Sequence, residues 1–562
     1  MPIRELTSPT LGVEDTSSPA HDEDHAKSSE QTTNSTYSHH SDGGVPASKT
    51  RSAIKSTFLV LSCAGAMIIN TANATSVSIA LPTIGADLGV NEDQLQWVVS
   101  SYSLTAGCLL LLIGRLADLY GRKKMFVAGA LWLTAFAIGC AFANDNITLN
   151  VLRALQGIGG AAIIPASIGI LAAAFPPSQA RSTAFATFGA GAPIGSVFGT
   201  TIGAVVVELT NKTWRSVFYV SAGVAALIAV GGALTIDPDQ PSEEKDKRVD
   251  WFGSALITSG LVLIIFVLSD GAIAPHGWRT PYIIGCLVAG VILSVLFFCW
   301  NAYLSRAHAK GGSSTAWWQP PPLIPGDLWL RANGRFLAIL MIVFWTWCSF
   351  LSNNFWLFYQ NYLRLSPILT MVRLLPSFVT GIICNVLIAL LVGRIPVVYL
   401  IGVGTLLTAF GSIFFSLVED GQSYWSYGFP SAVIIVFGAD FVFSSGTLFI
   451  AKCALPHEQS VAGALFSVMT QVGTAFGLAI TTIVYNAVLE SDARSLGVDL
   501  NVHGSAVPRA AQLHAYQDAN WGAFAFGILA CLIAIVSMAK VGVVGQRGDA
   551  KPKEDTVELG ER

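Results

Sequence analysis

A few charged and amide side chains stand where the sequence is otherwise apolar, and the chemistry open to them is the movement of protons or ions. Arg153 lies in Val151-Leu-Arg-Ala-Leu-Gln156-Gly157-Ile-Gly159-Gly160. On a helix, Gln156 shares its face. Asp440 lies in Val436-Phe-Gly-Ala-Asp-Phe-Val-Phe443, and a carboxyl that gains and loses a proton is what proton coupling requires. Arg373 follows in Met371-Val-Arg-Leu-Leu-Pro376. The amides Asn70, Asn73, Asn353, Asn354, Gln360, Asn385 and Gln471 need partners or a wet cavity in such surroundings. Arg153, Asp440, Asn73, Gln156, Asn353, Asn354, Arg373 and Gln471 are therefore candidates for coupling or substrate binding. Plainer roles stay open. Arg153 could snorkel to an interface, Asp440 could pair with Arg373 or with backbone, and Arg373 could simply pack.

Bond-making chemistry finds no support. There is no Gly-x-x-x-x-Gly-Lys-Ser/Thr phosphate loop. The nine cysteines are scattered singly through apolar runs, which suggests neither a disulfide framework nor a metal site. His21, His25, His39 and His40 have no compact ligand spacing. The chain reads as a non-enzyme with no metal, no cofactor beyond a coupling proton, and no nucleic-acid partner.

The elements that hold these residues must cross a membrane. Of 562 residues, 52% are hydrophobic and 12% charged, against roughly a quarter charged in soluble domains. Apolar runs of spanning length occur at about 57–82, 97–113, 125–142, 149–174, 182–206, 216–235, 252–268, 282–302, 336–358, 367–392, 397–417, 430–454, 461–488 and 521–541. Fourteen crossings from a cytoplasmic N-terminus return the C-terminus to the cytosol. On that layout the inner segments hold several-fold more Lys and Arg than the outer loops, the bias of known membrane proteins. Outer-loop sequons place candidate glycosylation at Asn146 and Asn211.

Between the second and third runs lies Gly114-Arg-Leu-Ala-Asp118-Leu-Tyr-Gly121-Arg122-Lys-Lys124. It is expected to be a short polar hinge, turned at Gly114 and Gly121, with Asp118 matched by the cations around it. Further on, Gly191, Gly195, Gly199 and Gly203 recur every fourth residue around Pro193. They make a stripe where helix backbones can approach closely.

The hinge resembles the signature loop of the major facilitator superfamily of secondary transporters, with Gly114, Leu116, Asp118, Gly121, Arg122 and Lys123 in register and Leu119 at a usually basic position. The resemblance implies that Gly114, Asp118, Gly121 and Arg122 form a conformational latch. It associates Arg153-x-x-Gln156-Gly157 with proton transfer, and Gly191, Pro193, Gly195 and Gly199 with the helix-packing motif of antiporters, although Ala192 departs from the usual Gly. Trp214-Arg-Ser-Val-Phe-Tyr219, Tyr424 to Asp440, Pro456 to Ala464 and Gln471-Val-Gly473 are similar to the fungal aminotriazole-resistance type of the fourteen-span drug:proton antiporters. Asn73 stands where that branch usually has Asp.

The fold implied is an all-α membrane protein with two six-helix bundles plus two linker helices. Its parts would be a disordered cytoplasmic tail (1–54), a first bundle (55–235), a linker with helices seven and eight (236–335), a second bundle (336–543) and a cytoplasmic tail (544–562). The expected function is proton-coupled export of a small organic toxicant, drug or metabolite by a monomer in the lipid bilayer, with the plasma membrane placed ahead of the vacuolar one. Transport of a small polar solute such as ammonium or borate is the first alternative, and a non-transporting membrane sensor the second.

Overall fold

The structure is a computed structural model that describes residues 52–89, 92–210, 213–239, 246–271, 274–309, 318–351, 358–365, 367–392, 394–498 and 508–538. Residues 1–51 of the first tail and all of the second lie outside these residues, as do Asn211, Asn353 and Asn354, while Ala53 and Ile54, expected in the first tail, belong to the first helix.

Every expected apolar run contains helix. In chain order these are α1 (Ala53–Leu88), α2 (Glu92–Cys108), α3 (Leu110–Tyr120), α4 (Arg122–Ala141), α5 (Asn146–Ala174), α6 (Gln179–Leu209), α7 (Arg215–Thr235), α8 (Trp251–Asp270), α9 (Pro281–Ala309), α10 (Arg335–Leu351), α11 (Pro367–Leu391), α12 (Val397–Ser416), α13 (Tyr424–Cys453), α14 (Gln459–Ser495) and α15 (Arg509–Met538). Among the described residues twelve helices are long and apolar enough to cross a membrane, and α2 with α3 make a thirteenth span bent by 47°. The described part of α10 is shorter, because its expected run enters residues outside the described set.

Two boundaries differ from expectation for identifiable reasons. α1 does not stop at Pro82 but carries it and ends at Gly89, whose φ of 63° gives the left-handed cap that glycine accepts. The expected hinge is mostly helix: α3 runs through Gly114 and Asp118 to Tyr120, and the turn is confined to Gly121 with φ 118°. Gly114 is thus a close-approach glycine and not a turn. A Cβ there would lie 2.9 Å from the Ala464 Cβ and 3.0 Å from the Ser460 carbonyl oxygen.

The helices pair by one scheme used twice. In the first half α1 packs on α6 and α7, α4 on α5 and α7, and α2 on α5. In the second half α10 packs on α14 and α15, α12 on α13 and α15, and α11 on α13. The halves meet through α3 and α5 against α14, and through α6 against α11 and α13. α8 and α9 pack mainly on one another, while α8 also touches α2 and α14. Large apolar side chains such as Ile284, Val288, Val295 and Phe298 of α9 point outward, as lipid-facing positions should.

The glycine stripe of α6 shows how sequence sets this packing. Cβ atoms at Gly191 and Gly199 would meet α1 backbone atoms of Ala64 and Ala72 at 2.8 Å, and one at Gly203 would meet the Ser76 carbonyl at 3.0 Å. Without an apolar-against-water driving force between helices in lipid, such contact is the main source of cohesion. Replacing Gly199 by Val should destabilise the fold by about 1–3 kcal/mol or more, as overpacking does. Gly223, with open space around it, should accept Ala within about 1 kcal/mol. Thermal unfolding in detergent, followed by size-exclusion fluorescence, checks the pair.

Candidate functional site

Three polar constellations stand inside the bundle, and each begins with a local feature of the chain. The first lies where α3 and α4 meet. Gly121 lets α4 start at once, and the freed N–H groups of Lys123 and Lys124 donate to the Asp239 carboxylate at 2.8 and 3.1 Å. This sends the Arg122 side chain inward. Its Nε and Nη2 donate to Asp118 Oδ1 at 2.9 and 2.7 Å, and its Nη1 donates to the Gly169 carbonyl at 3.2 Å. Asp118 has no exposed side-chain surface. It also accepts from the backbone N–H groups of Ser460 and Val461, at 3.2 and 2.9 Å. These are unpaired donors in the first turn of α14, where the helix dipole favours a negative charge. Arg122 reaches the same turn through Ser460 Oγ at 3.2 Å, and the loop just before it through the Pro456 carbonyl. The four residues expected to act together here lie close to one another; Gly114, Asp118 and Arg122 meet the second half, and Gly121 meets Asp239.

This clasp has a neighbour that the sequence did not reveal. Glu458, just before α14 and 3% exposed, pairs in fork fashion with Arg331 of the segment leading into α10. On the same face Arg181 Nη2 donates to the Ala451 carbonyl at 2.8 Å, and Gln179 donates to that of Ala389. The polar and glycine contacts across the halves fall between Gln459 and Gln471 on α14 and between Gln179 and Pro193 on α6. The face bearing the Gly121 turn is therefore the sealed one.

The second constellation surrounds Arg153, which does not snorkel: it is 0% exposed. Its Nε donates to the Val98 carbonyl at 2.9 Å, Nη1 to Gln156 Oε1 at 2.8 Å and Nη2 to the Asn73 carbonyl at 3.2 Å. The guanidinium lies 4.6 Å from the Tyr102 ring centre and 5.9 Å from that of Phe218, a cation–π arrangement. Arg153, Gln156 and Asn73 are thus brought together by α5, α2 and α1. Tyr102, whose hydroxyl donates to Asn70 Oδ1 at 2.9 Å, was missed because a tyrosine in an apolar run carries no distinguishing signal.

The third holds Asp440. Asn385 Nδ2 donates to its Oδ2 at 3.1 Å, and Ser444 Oγ donates to Asn385 Oδ1 at 3.0 Å. α6 comes close here: a Cβ at Gly189 would lie 2.7 Å from Ser444 Oγ and 2.8 Å from Asn385 Oδ1. One at Gly381 would meet Pro193 at 2.7 Å and Asp440 Oδ2 at 3.2 Å. Arg373 is not the partner of Asp440. It sits over the rings of Tyr359 and Tyr424, at 5.4 and 5.3 Å, in the aromatic cluster near the start of α11. Gln471 is apart from both, lying against Gly107 of α2. Trp345 and Trp347 pack on Phe526 and Phe443. Asn146 opens α5 and accepts from Asn150 at 3.3 Å.

A family model described as Major Facilitator Superfamily matches residues 63–269. The puromycin resistance protein of Streptomyces alboniger is 31% identical across 79% of this chain and 85% of its own length. An efflux pump of Aspergillus terreus is 28% identical across 79% and 82%. The low affinity ammonium transporter of Saccharomyces cerevisiae is 28% identical across 79% and 84%.

Removing the charge of the clasp should open the sealed face. Asp118→Asn weakens a buried, charge-assisted set of bonds, and a bias lost by even 1.4 kcal/mol shifts an equilibrium tenfold. Labelling of a cysteine placed at Ser167, which is fully buried beside this face, should then rise about tenfold relative to the same reporter with Asp118 intact. Unchanged labelling would show that the clasp does not hold the face shut.

Proposed function

Because the chain belongs to the major facilitator superfamily, we propose that this transporter is a proton-coupled antiporter that exports a small organic molecule by alternating access. The observation that carries the reading is the place of Asp440. It lies near the middle of α13, partly buried, with an amide and not a cation as its hydrogen-bond partner. It also sits on the surface where α11 and α13 meet α6 of the other half. A proton taken up or released there changes the charge by one unit where the halves must separate. In the low dielectric of a bundle interior that is a large perturbation.

The sealed face is read as cytoplasmic, since it holds the cation-rich segments, so both termini are cytoplasmic and this conformation opens outward. The Asp118–Arg122 clasp would hold that state and release in the inward-open one. Two six-helix bundles rocking about a midplane site, with α8 and α9 as an inserted pair, suit such a cycle. The glycine stripe of α6 sets the position of α1, and with it Asn73, relative to the exchange path. Export finds support in relatives named as an efflux pump and a puromycin resistance protein. We place the protein in the plasma membrane as a monomer. A second reading, transport of a small polar solute such as ammonium, is favoured by the relative of that name.

Purified protein in liposomes with an imposed pH gradient tests the proposal, with puromycin and methylammonium among the probes. A gradient should drive uphill movement of an organic probe. Asp440→Asn should lower the gradient-driven rate by about tenfold or more while leaving one-for-one exchange of that probe in place, since exchange needs no net proton movement. Equal loss of both activities would remove Asp440 from the coupling role. Uphill movement of methylammonium alone would favour the second reading.

A further inference from the structure

The first half of the bundle holds a positive charge that no side chain of the described residues balances, and we infer from this that the exported molecule is an organic anion. The inference rests on the transport reading above and concerns the same interior. Arg153 is seven residues into α5, about 10 Å along the helix at 1.5 Å per residue, and is entirely buried. Its three hydrogen-bond partners, the Val98 and Asn73 carbonyls and the Gln156 amide oxygen, are all neutral. Among the described residues no Asp or Glu pairs with it. A buried charge lacking an opposite partner is unfavourable, and the two flanking rings offset this only in part.

A second observation points to a ligand. Asn73 is 1% exposed and Gln156 0% exposed, and Asn73 Nδ2, Asn73 Oδ1 and Gln156 Nε2 have no hydrogen-bond partner. Both residues touch the guanidinium through other atoms. Buried amides left unpaired are destabilising and uncommon. Here two amide donors surround a guanidinium that uses only three of its five N–H groups in the bonds described above. Such a donor-rich set accepts a carboxylate or sulfonate, whose oxygens take up the free N–H groups and whose charge balances Arg153. A cation entering the same place would meet repulsion, and nothing in the set accepts hydrogen bonds well except Asn73 Oδ1. Asn73 is also the position at which one atom exchange, amide to carboxylate, would supply the missing charge from within.

The experiment uses two permanently charged probes with the same ring and little passive leak, naphthalene-1-sulfonate and (1-naphthylmethyl)trimethylammonium. Full-length protein in liposomes is assayed for counterflow of each, as wild type, Asn73→Asp and Gly223→Ala. The wild type should exchange the sulfonate at least tenfold faster than protein-free vesicles and leave the ammonium probe at background. Asn73→Asp should cut sulfonate exchange about tenfold, because the new carboxylate occupies the guanidinium, whereas Gly223→Ala, in open space outside this set, should stay within threefold of wild type. Exchange of the ammonium probe in preference to the sulfonate overturns the inference while leaving export intact, as does undiminished sulfonate exchange by a monodisperse Asn73→Asp variant. Should that variant aggregate, the wild-type comparison of the two probes decides alone. Failure to move either probe, when puromycin is still driven by a pH gradient, also overturns it. Failure to move any probe removes the export reading as well.

Discussion

The contact on which this conformation depends is one carboxylate at the start of one helix. Asp118 is buried between the halves, and its two oxygens take the Arg122 guanidinium and the first free N–H groups of α14. Each component alone is ordinary: a close charged pair, and an anion at the positive end of a helix dipole. Together they make a junction that exists only while the two halves are together on this face. Much else is arranged so that the junction can form. Gly114 lets α3 come within van der Waals contact of α14, and Asp239 takes the N–H groups that open α4. Glu458, bound to Arg331, fixes the turn that presents the N–H groups. The last contact ties the segment entering α10 to the same turn, so the inserted pair α8–α9 is connected to the second half by more than the chain.

The two halves share a pairing scheme but not a chemistry. The first half centres on a cation held by carbonyls, an amide and aromatic rings; the second centres on a carboxylate held by an amide that a hydroxyl in turn holds. α6 serves both. Its later glycines lie against α1 of its own half, and its Gly189 and Pro193 lie against the Asp440 network of the other. Small residues on one helix therefore determine how near the carboxylate comes to the first half.

How far the sequence foretold this depends on the range of each interaction. The helices were legible because twenty apolar residues in a row have few alternatives. Arg153 with Gln156 was legible because three residues bring side chains onto one helix face. The glycine stripe was legible by its period. Asp118 was recognisable as unusual, yet its receptors are backbone groups more than three hundred residues away, and a backbone N–H leaves no mark in the sequence. Gly114 was misread for a related reason: glycine serves both sharp turns and close helix contacts, and only the neighbouring helix distinguishes them. Arg373 was offered to Asp440 on charge alone, whereas the structure gives it two tyrosine rings. Tyr102 and Ser444 belong to residue types too common in helices to stand out.

The break at Leu109 divides a single crossing into two levers. The part before it carries Val98 and Tyr102, which enclose Arg153; the part after it carries Gly114 and Asp118, which meet α14. The 47° angle between them gives each part its own axis, one directed to the guanidinium and the other to the second half. In the proposed transport cycle, the enclosure of Arg153 and the Asp118 junction would therefore share one crossing yet need not move in step.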